Sequence, residues 1–318
     1  MDAKKKDIID VLREIHKSQR LVPVIGAGFS RPFSLPDWGE LLISVAKKFS
    51  ALDSTIDTAR SIMNNQNYIQ AVSTITAATK KSEVGIQEAV VEIIRKKKTD
   101  FLYNKNCENF AESDIDTNYS DLSNFNAILT LNYDEIIADY NKNHAGTTFQ
   151  QYQDTHNFGQ KKDIIYVHGR VSDASSIVLA KSNYDDAYKN ESFKNKFAGI
   201  TLGRTLLFMG FSFQDTYIKV FLETVTLGSG VTHYALMDKT SVTALGAEAV
   251  EDYKKKYNVE IIEYNDTKGD HILQIRDFLN LISTVQEVSK SNTERFKTWS
   301  YYNDEKLFVS FLGRHPTI

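Results

Sequence analysis

The chain has 318 residues, 42% of them hydrophobic and 25% charged, with a formal net charge of −3. Such a composition is that of a globular protein with material for one large α/β domain, with or without a small helical addition, and it excludes a disordered chain. The near-balanced charge supplies no bulk attraction to nucleic acid or a membrane surface, and the single cysteine, Cys107, excludes an intrachain disulfide and a multi-cysteine zinc site.

No apolar run is long enough to span a bilayer, and Met1–Lys6 leads into no uninterrupted apolar stretch of the kind a secretory signal needs. A reducing cytoplasm is the expected setting. Ile8, Val11, Leu12 and Ile15 recur at helical spacing, so an amphipathic helix opens the chain. Leu21–Ile25 follows as a short apolar strand ending at glycine, with Pro23 predicting some irregularity in its pairing. Trp38, Leu41, Leu42, Val45, Ala46 and Phe49 form a helical stripe, with Asp37 placed to cap it. Two further helices are predicted near 67–79 and 83–98, and the Asn-, Asp- and Ser-rich region 104–121 reads as a loop.

From there strands and helices alternate. Apolar runs at 127–131, 163–167, 205–209, 233–237 and 259–263 predict strands, and 270–283 predicts a last helix. The pattern implies an α/β fold, a Rossmann-like, mainly parallel sheet with helices on both faces. The tail 290–318 carries Phe296, Trp299, Tyr301, Tyr302, Phe308, Phe311 and Leu312. So apolar a tail is expected to pack on its own domain, on a second copy or on a partner.

Four motifs follow the ends of predicted strands. Gly26-Ala27-Gly28-Phe29-Ser30 follows the first, where glycines let a backbone turn tightly and approach a phosphate. It lacks the lysine of a P-loop, and Arg31 stands where a dinucleotide fingerprint has its third glycine. Thr130-Leu131-Asn132-Tyr133-Asp134, Val167-His168-Gly169 and Gly210-Phe211-Ser212-Phe213 follow three later strands. Each has a plain alternative: a helix cap for Asn132 or Asp134, a core histidine for His168, a turn for Gly210. Their shared placement weighs against those alternatives, because the C-terminal ends of parallel strands lie along one edge, where ligands bind.

In order and spacing these motifs, with Pro36-Asp37 between the first and second, resemble those of sirtuins. More closely they resemble the bacterial sirtuin-like NADases of anti-phage defence, over roughly residues 20–283. The resemblance implies a sirtuin-like NAD-binding domain over 1–285, with a helical insertion at about 39–120, and a C-terminal extension over 286–318. It implies that Gly26, Ala27, Gly28 and Ser30 hold the pyrophosphate, that Phe29, Asp37 and Trp38 flank the nicotinamide–ribose end, and that Gly210, Phe211 and Ser212 lie toward the adenosine half. Asn132, Asp134 and His168 would be the catalytic residues, with His168 bonding a ribose hydroxyl and acting as base. Two features depart from sirtuin deacylases: Gly39 follows Trp38 where those enzymes soon carry an arginine, and one cysteine cannot build their four-cysteine zinc module.

The implied reaction is hydrolysis of NAD, the substrate, to nicotinamide and ADP-ribose, depleting cellular NAD in abortive infection, without zinc or any other metal. The alternatives are an NAD-dependent deacylase or ADP-ribosyl transferase, and a non-catalytic nucleotide sensor. The expected partners besides NAD are a second copy of the chain or a sensing subunit, with no membrane and no direct nucleic-acid contact. His16, His144, His156, His233, His271 and His315 show no ligand spacing and are expected to be structural or surface residues.

Overall fold

A computed structural model describes residues 3–65, 67–103, 121–153, 158–211, 213, 216–226, 230–265 and 271–283. Seven strands form one sheet: β1 (Leu21–Ile25), β2 (Ala127–Thr130), β3 (Ala145–Thr148), β4 (Asp163–Tyr166), β5 (Thr205–Met209), β6 (His233–Asp238) and β7 (Val259–Tyr264). Their order is β3-β4-β2-β1-β5-β6-β7, and every pairing is parallel. This is the Rossmann-like α/β sheet that the alternation of strands and helices predicts.

The described helices are α1 (Ala3–Lys17), α2 (Trp38–Lys48), α3 (Asp53–Asn64), α4 (Tyr68–Thr79), α5 (Glu83–Tyr103), α6 (Ile136–Tyr140), α7 (Lys181–Tyr188), α8 (Glu191–Thr201), α9 (Thr216–Thr226), α10 (Lys239–Leu245), α11 (Ala247–Tyr257) and α12 (His271–Ser283). Side chains alternate across a strand, so each strand feeds two cores. Leu21 and Ile25 of β1 join Ile128, Leu207 and Leu236 under α1, α2, α5 and α12. Val22 and Val24 join Leu129, Phe208 and Met237 under α7, α8, α9 and α11. Burial on both faces is why β1, β2 and β5 read as continuous apolar runs.

Pro23 sits in the middle of the sheet. It stays in register with Leu207 of β5, while the ladder to β2 begins only at Val24, beyond the nitrogen that cannot donate. Two described elements escape the sequence patterns. Strand β3, Ala-Gly-Thr-Thr, is a short edge strand whose first three residues remain accessible, so it carries no apolar alternation. Helix α3 buries only Ile56, Ala59 and Met63, a stripe too thin to stand out among its polar residues. The expected loop over most of 104–121 and the aromatic tail lie outside the described residues.

The topology fixes where a ligand can sit. After β1 the chain lays β2, β3 and β4 on one side, then returns to lay β5 on the other side of β1. The crests of β1 and β5 therefore flank a topological switch point, where an open parallel sheet leaves a crevice.

Candidate active site

A cleft of about 740 Å³ opens at that crevice. Gly26, Ala27, Gly28, Asp37, Trp38, Asn132, His168, Gly210 and Phe211 all line it. Four motifs far apart in the chain thus meet on one wall, as their positions at strand ends require. Ser212 lies outside the described residues.

The glycines of the first motif also lock two strand ends together. The Gly28 N–H donates to the Gly210 carbonyl at 2.9 Å, the Gly26 N–H to Met209 at 2.9 Å and the Phe29 N–H to Gly26 at 3.0 Å. A Cβ on Gly28 would stand 3.0 Å from both Cα and O of Gly210, which itself turns with φ +76°. Glycine is needed here so that the crests of β1 and β5 can touch, before any ligand arrives. Gly28→Val is accordingly expected to lower the melting temperature, by an overpacking cost of about 1–3 kcal/mol, and not merely to block a phosphate. Thermal denaturation of the two proteins without nucleotide measures it, and an unchanged midpoint would overturn the packing account.

Three residues leave their expected places. Phe29 is 4% exposed and packs into the core under α2 and α5, because the 3-10 helix Ala27–Phe33 turns it inward with Phe33. Ser30 does not face the main cleft: its hydroxyl donates to Asp134 Oδ2 at 2.7 Å and accepts from Asn132 Nδ2 at 3.0 Å. Asp134 is also withdrawn. It borders, with Ser30 and Asn132, a small side cavity of about 40 Å³, room for about one water. Burial pushes the Asp134 carboxyl above the ordinary carboxylate range, opposed by the Ser30 hydroxyl and the Ile136 N–H.

Asn132 joins the two cavities. Its backbone is tied at the crest of β2, where its N–H donates to Thr130 Oγ1 at 3.1 Å and the Leu131 N–H to the Ile25 carbonyl at 3.1 Å. Its Nδ2 donates to Gly26 O and to Ser30 Oγ, both at 3.0 Å. Both amide hydrogens are spent, so Oδ1, which has no partner among the described residues, is the end offered to a ligand.

His168 stands at the crest of β4. The next residue, Gly169, turns with φ +86°, and a Cβ there would strike the Ser176 carbonyl oxygen at 2.2 Å. The His168 carbonyl accepts from Val178 N at 2.9 Å, which pins the turn. Its Nε2 shares a 2.6 Å hydrogen bond with the Tyr188 hydroxyl, and its Nδ1 has no partner among the described residues. The ring packs edge-on against Tyr184 and Tyr188, which stack on each other along α7. Burial drops the imidazole pKa from 6.5 to about 3. The site histidine is therefore neutral at physiological pH.

Several residues of the cleft carry no signature of their own in the sequence. Arg31 lies on its wall with Nη1 bonded to Asp37 Oδ2 and Glu40 Oε2. Tyr184 and Tyr188 could have been found as an i, i+4 pair on one helix face close behind His168. The far half is walled by Leu236, Met237 and Asp238 at the end of β6, Tyr264 at the end of β7, and His271 and Ile275 of α12. His271 is thus a cleft residue, at 3.0 Å from the Tyr264 hydroxyl through Nδ1. Among the described residues, no group of three or more His, Cys, Asp or Glu side chains is placed to hold a metal ion. No described helix is long and apolar enough to cross a membrane.

Residues 126–262 match the SIR2-like domain family. The chain is 27% identical over 143 residues to the NAD(+) hydrolase ThsA of Enterococcus faecium, covering 40% of this chain and 29% of that protein. It is 24% identical over 334 aligned residues to the NAD(+) hydrolase ThsA of Cytobacillus dafuensis, covering 96% of this chain and 62% of that protein. The chain thus spans less than two thirds of either relative. The match runs from β2 into β7, and the glycine turn after β1 packs against it through Gly210. With its parallel sheet and its switch-point cleft, this chain is similar to SIR2-like domains over residues 126–262.

Proposed function

We propose that the chain hydrolyses NAD at the bond between nicotinamide and ribose, releasing nicotinamide and ADP-ribose. The observation that carries this is the meeting of Asn132 and His168 with the interlocked glycine turns of β1 and β5 on one switch-point cleft. The names of the two relatives support the same activity.

In the reaction, the C–N bond breaks and its electron pair goes to the pyridine nitrogen, which loses its positive charge. A water oxygen bonds to the anomeric carbon, and the water gives up a proton. Cleavage of a glycosidic bond passes through an oxocarbenium-like state, so the site must avoid placing positive charge beside the sugar. A neutral His168 satisfies that condition, and it can bond a ribose hydroxyl or take up the proton of the attacking water in passing to solvent. The open Oδ1 of Asn132 orients the water or the substrate's carboxamide. Asp134 acts from behind, through Ser30, holding the Asn132 amide in that orientation.

An enzyme that destroys NAD must be held silent in its host, which fits a role in anti-phage defence. The test is nicotinamide release from NAD and water alone, by the chain itself and together with proteins encoded beside it. A deacylase releases nicotinamide only with an acyl-peptide, and a nucleotide sensor releases none. No release in any of these mixtures would sink the proposal. The chemistry routes no step through a metal, so purified protein is expected to carry no stoichiometric zinc and to keep its activity in chelator. Elemental analysis finding one zinc per chain would reopen the deacylase alternative.

A further inference from the structure

The pyrophosphate of a bound dinucleotide brings two negative charges into the cleft, and the turn Gly26–Ser30 carries no positive side chain to balance them. Of the N–H groups of Gly26 to Phe29, three are already bonded to carbonyls of Met209, Gly210 and Gly26, which leaves Ala27. The Ser30 hydroxyl is held between Asn132 and Asp134. Among the described residues lining the cleft, Arg31 is the one lysine or arginine, while Asp37 and Asp238 add negative charge.

Arg31 is also positioned in advance. Its Nη1 bonds Asp37 Oδ2 at 3.2 Å and Glu40 Oε2 at 2.9 Å. Those carboxylates are themselves fixed by a reciprocal cap on α2: Asp37 Oδ1 accepts from Glu40 N, and Glu40 Oε2 accepts from Asp37 N. The guanidinium has five N–H donors, and neither Nε nor Nη2 has a partner among the described residues. Its side chain is 52% exposed, so a ligand can reach the open edge of the fork. A planar fork with free donors suits a phosphate, and two carboxylates behind it hold it in place.

We infer that Arg31 is a diphosphate-binding residue of this cleft, steered by Asp37 and Glu40, beside the glycine turn. The assignment rests on the nucleotide reading of the site and is tested without catalysis. Calorimetric titration of the full chain with ADP and with adenosine separates the phosphate contribution from the rest. Arg31→Gln is expected to weaken ADP binding by about ten- to a hundredfold, the loss of charge-assisted hydrogen bonds, and to leave adenosine binding unchanged. The adenosine titration also reports that the variant is folded. Unchanged ADP affinity in the variant overturns the assignment, and so does an equal loss for ADP and adenosine, which would mean a structural role. A wild-type chain that binds neither probe overturns the nucleotide reading itself, and the assignment with it.

Discussion

Replacing His168 by alanine is expected to cut nicotinamide release by about a hundred- to ten-thousandfold while NAD still binds, the range seen when a proton-handling group is removed. The imidazole belongs to the crest of β4 and the cleft wall, and the turn that carries it is held by backbone bonds that the substitution leaves intact. Because alanine also empties a buried site, His168→Gln serves beside it as a variant of nearer volume. Turnover and NAD affinity, measured for both under activating conditions, separate catalysis from binding. Near-normal turnover in both would sink the mechanism. The pH profile adds a second reading. Burial holds the imidazole pKa at about 3, below its ordinary 6.5. The neutral form is then lost only as pH falls toward the lower value, so kcat/KM should show no His168 titration near 6.5. Tyr188→Phe keeps the stacked ring and removes the hydroxyl that holds Nε2 at 2.6 Å. That change should lower kcat by about tenfold with little effect on KM, the weight of one hydrogen bond.

The sheet was legible because strands buried on both faces cannot hide their apolar runs, and Leu21–Ile25, Ala127–Thr130 and Thr205–Met209 emerge where they were expected. Strand β3 and helix α3 were not, since an accessible edge strand and a thinly buried helix leave no periodic mark. In the site, what could be read was the residue type needed at a crest: Asn132, His168 and the paired glycines. What could not be read was how a side chain is already engaged in the folded chain. Nothing in the sequence says that the Ser30 hydroxyl lies between Asn132 and Asp134, or that the Gly28 N–H is bonded to Gly210. Arg31 was noticed only as a missing glycine, because nothing in the sequence says that Asp37 and Glu40 fold back to hold it.

The chain of hydrogen bonds from Asp134 through Ser30 to Asn132 leads to the last expectation. Asn132→Ala removes the side-chain carbonyl that Asn132 offers to the ligand and should cost about a hundred- to a thousandfold in turnover, as loss of a polar group aimed at the reacting centre does. Ser30→Ala removes the acceptor that holds Asn132 Nδ2 and leaves that amide bonded to Gly26 O alone, so its Oδ1 is less firmly aimed. A loss of about ten- to a hundredfold in kcat is expected, smaller than for Asn132 itself because one anchor survives. Ser30 sits in the side cavity, away from the main cleft wall, so ADP affinity should barely move. If Ser30 works only through Asn132, the Ser30→Ala, Asn132→Ala double variant should be little slower than Asn132→Ala, since groups acting as one unit do not add. Losses that multiply would show Ser30 acting on the substrate directly. Asp134→Asn probes the far end of the chain. It keeps the shape but weakens the acceptor for Ser30 Oγ, and it should reproduce the Ser30→Ala defect. An Asp134→Asn protein far slower than Ser30→Ala would instead place the carboxylate itself at the reacting sugar, with a rearrangement on substrate binding that frees it from Ser30.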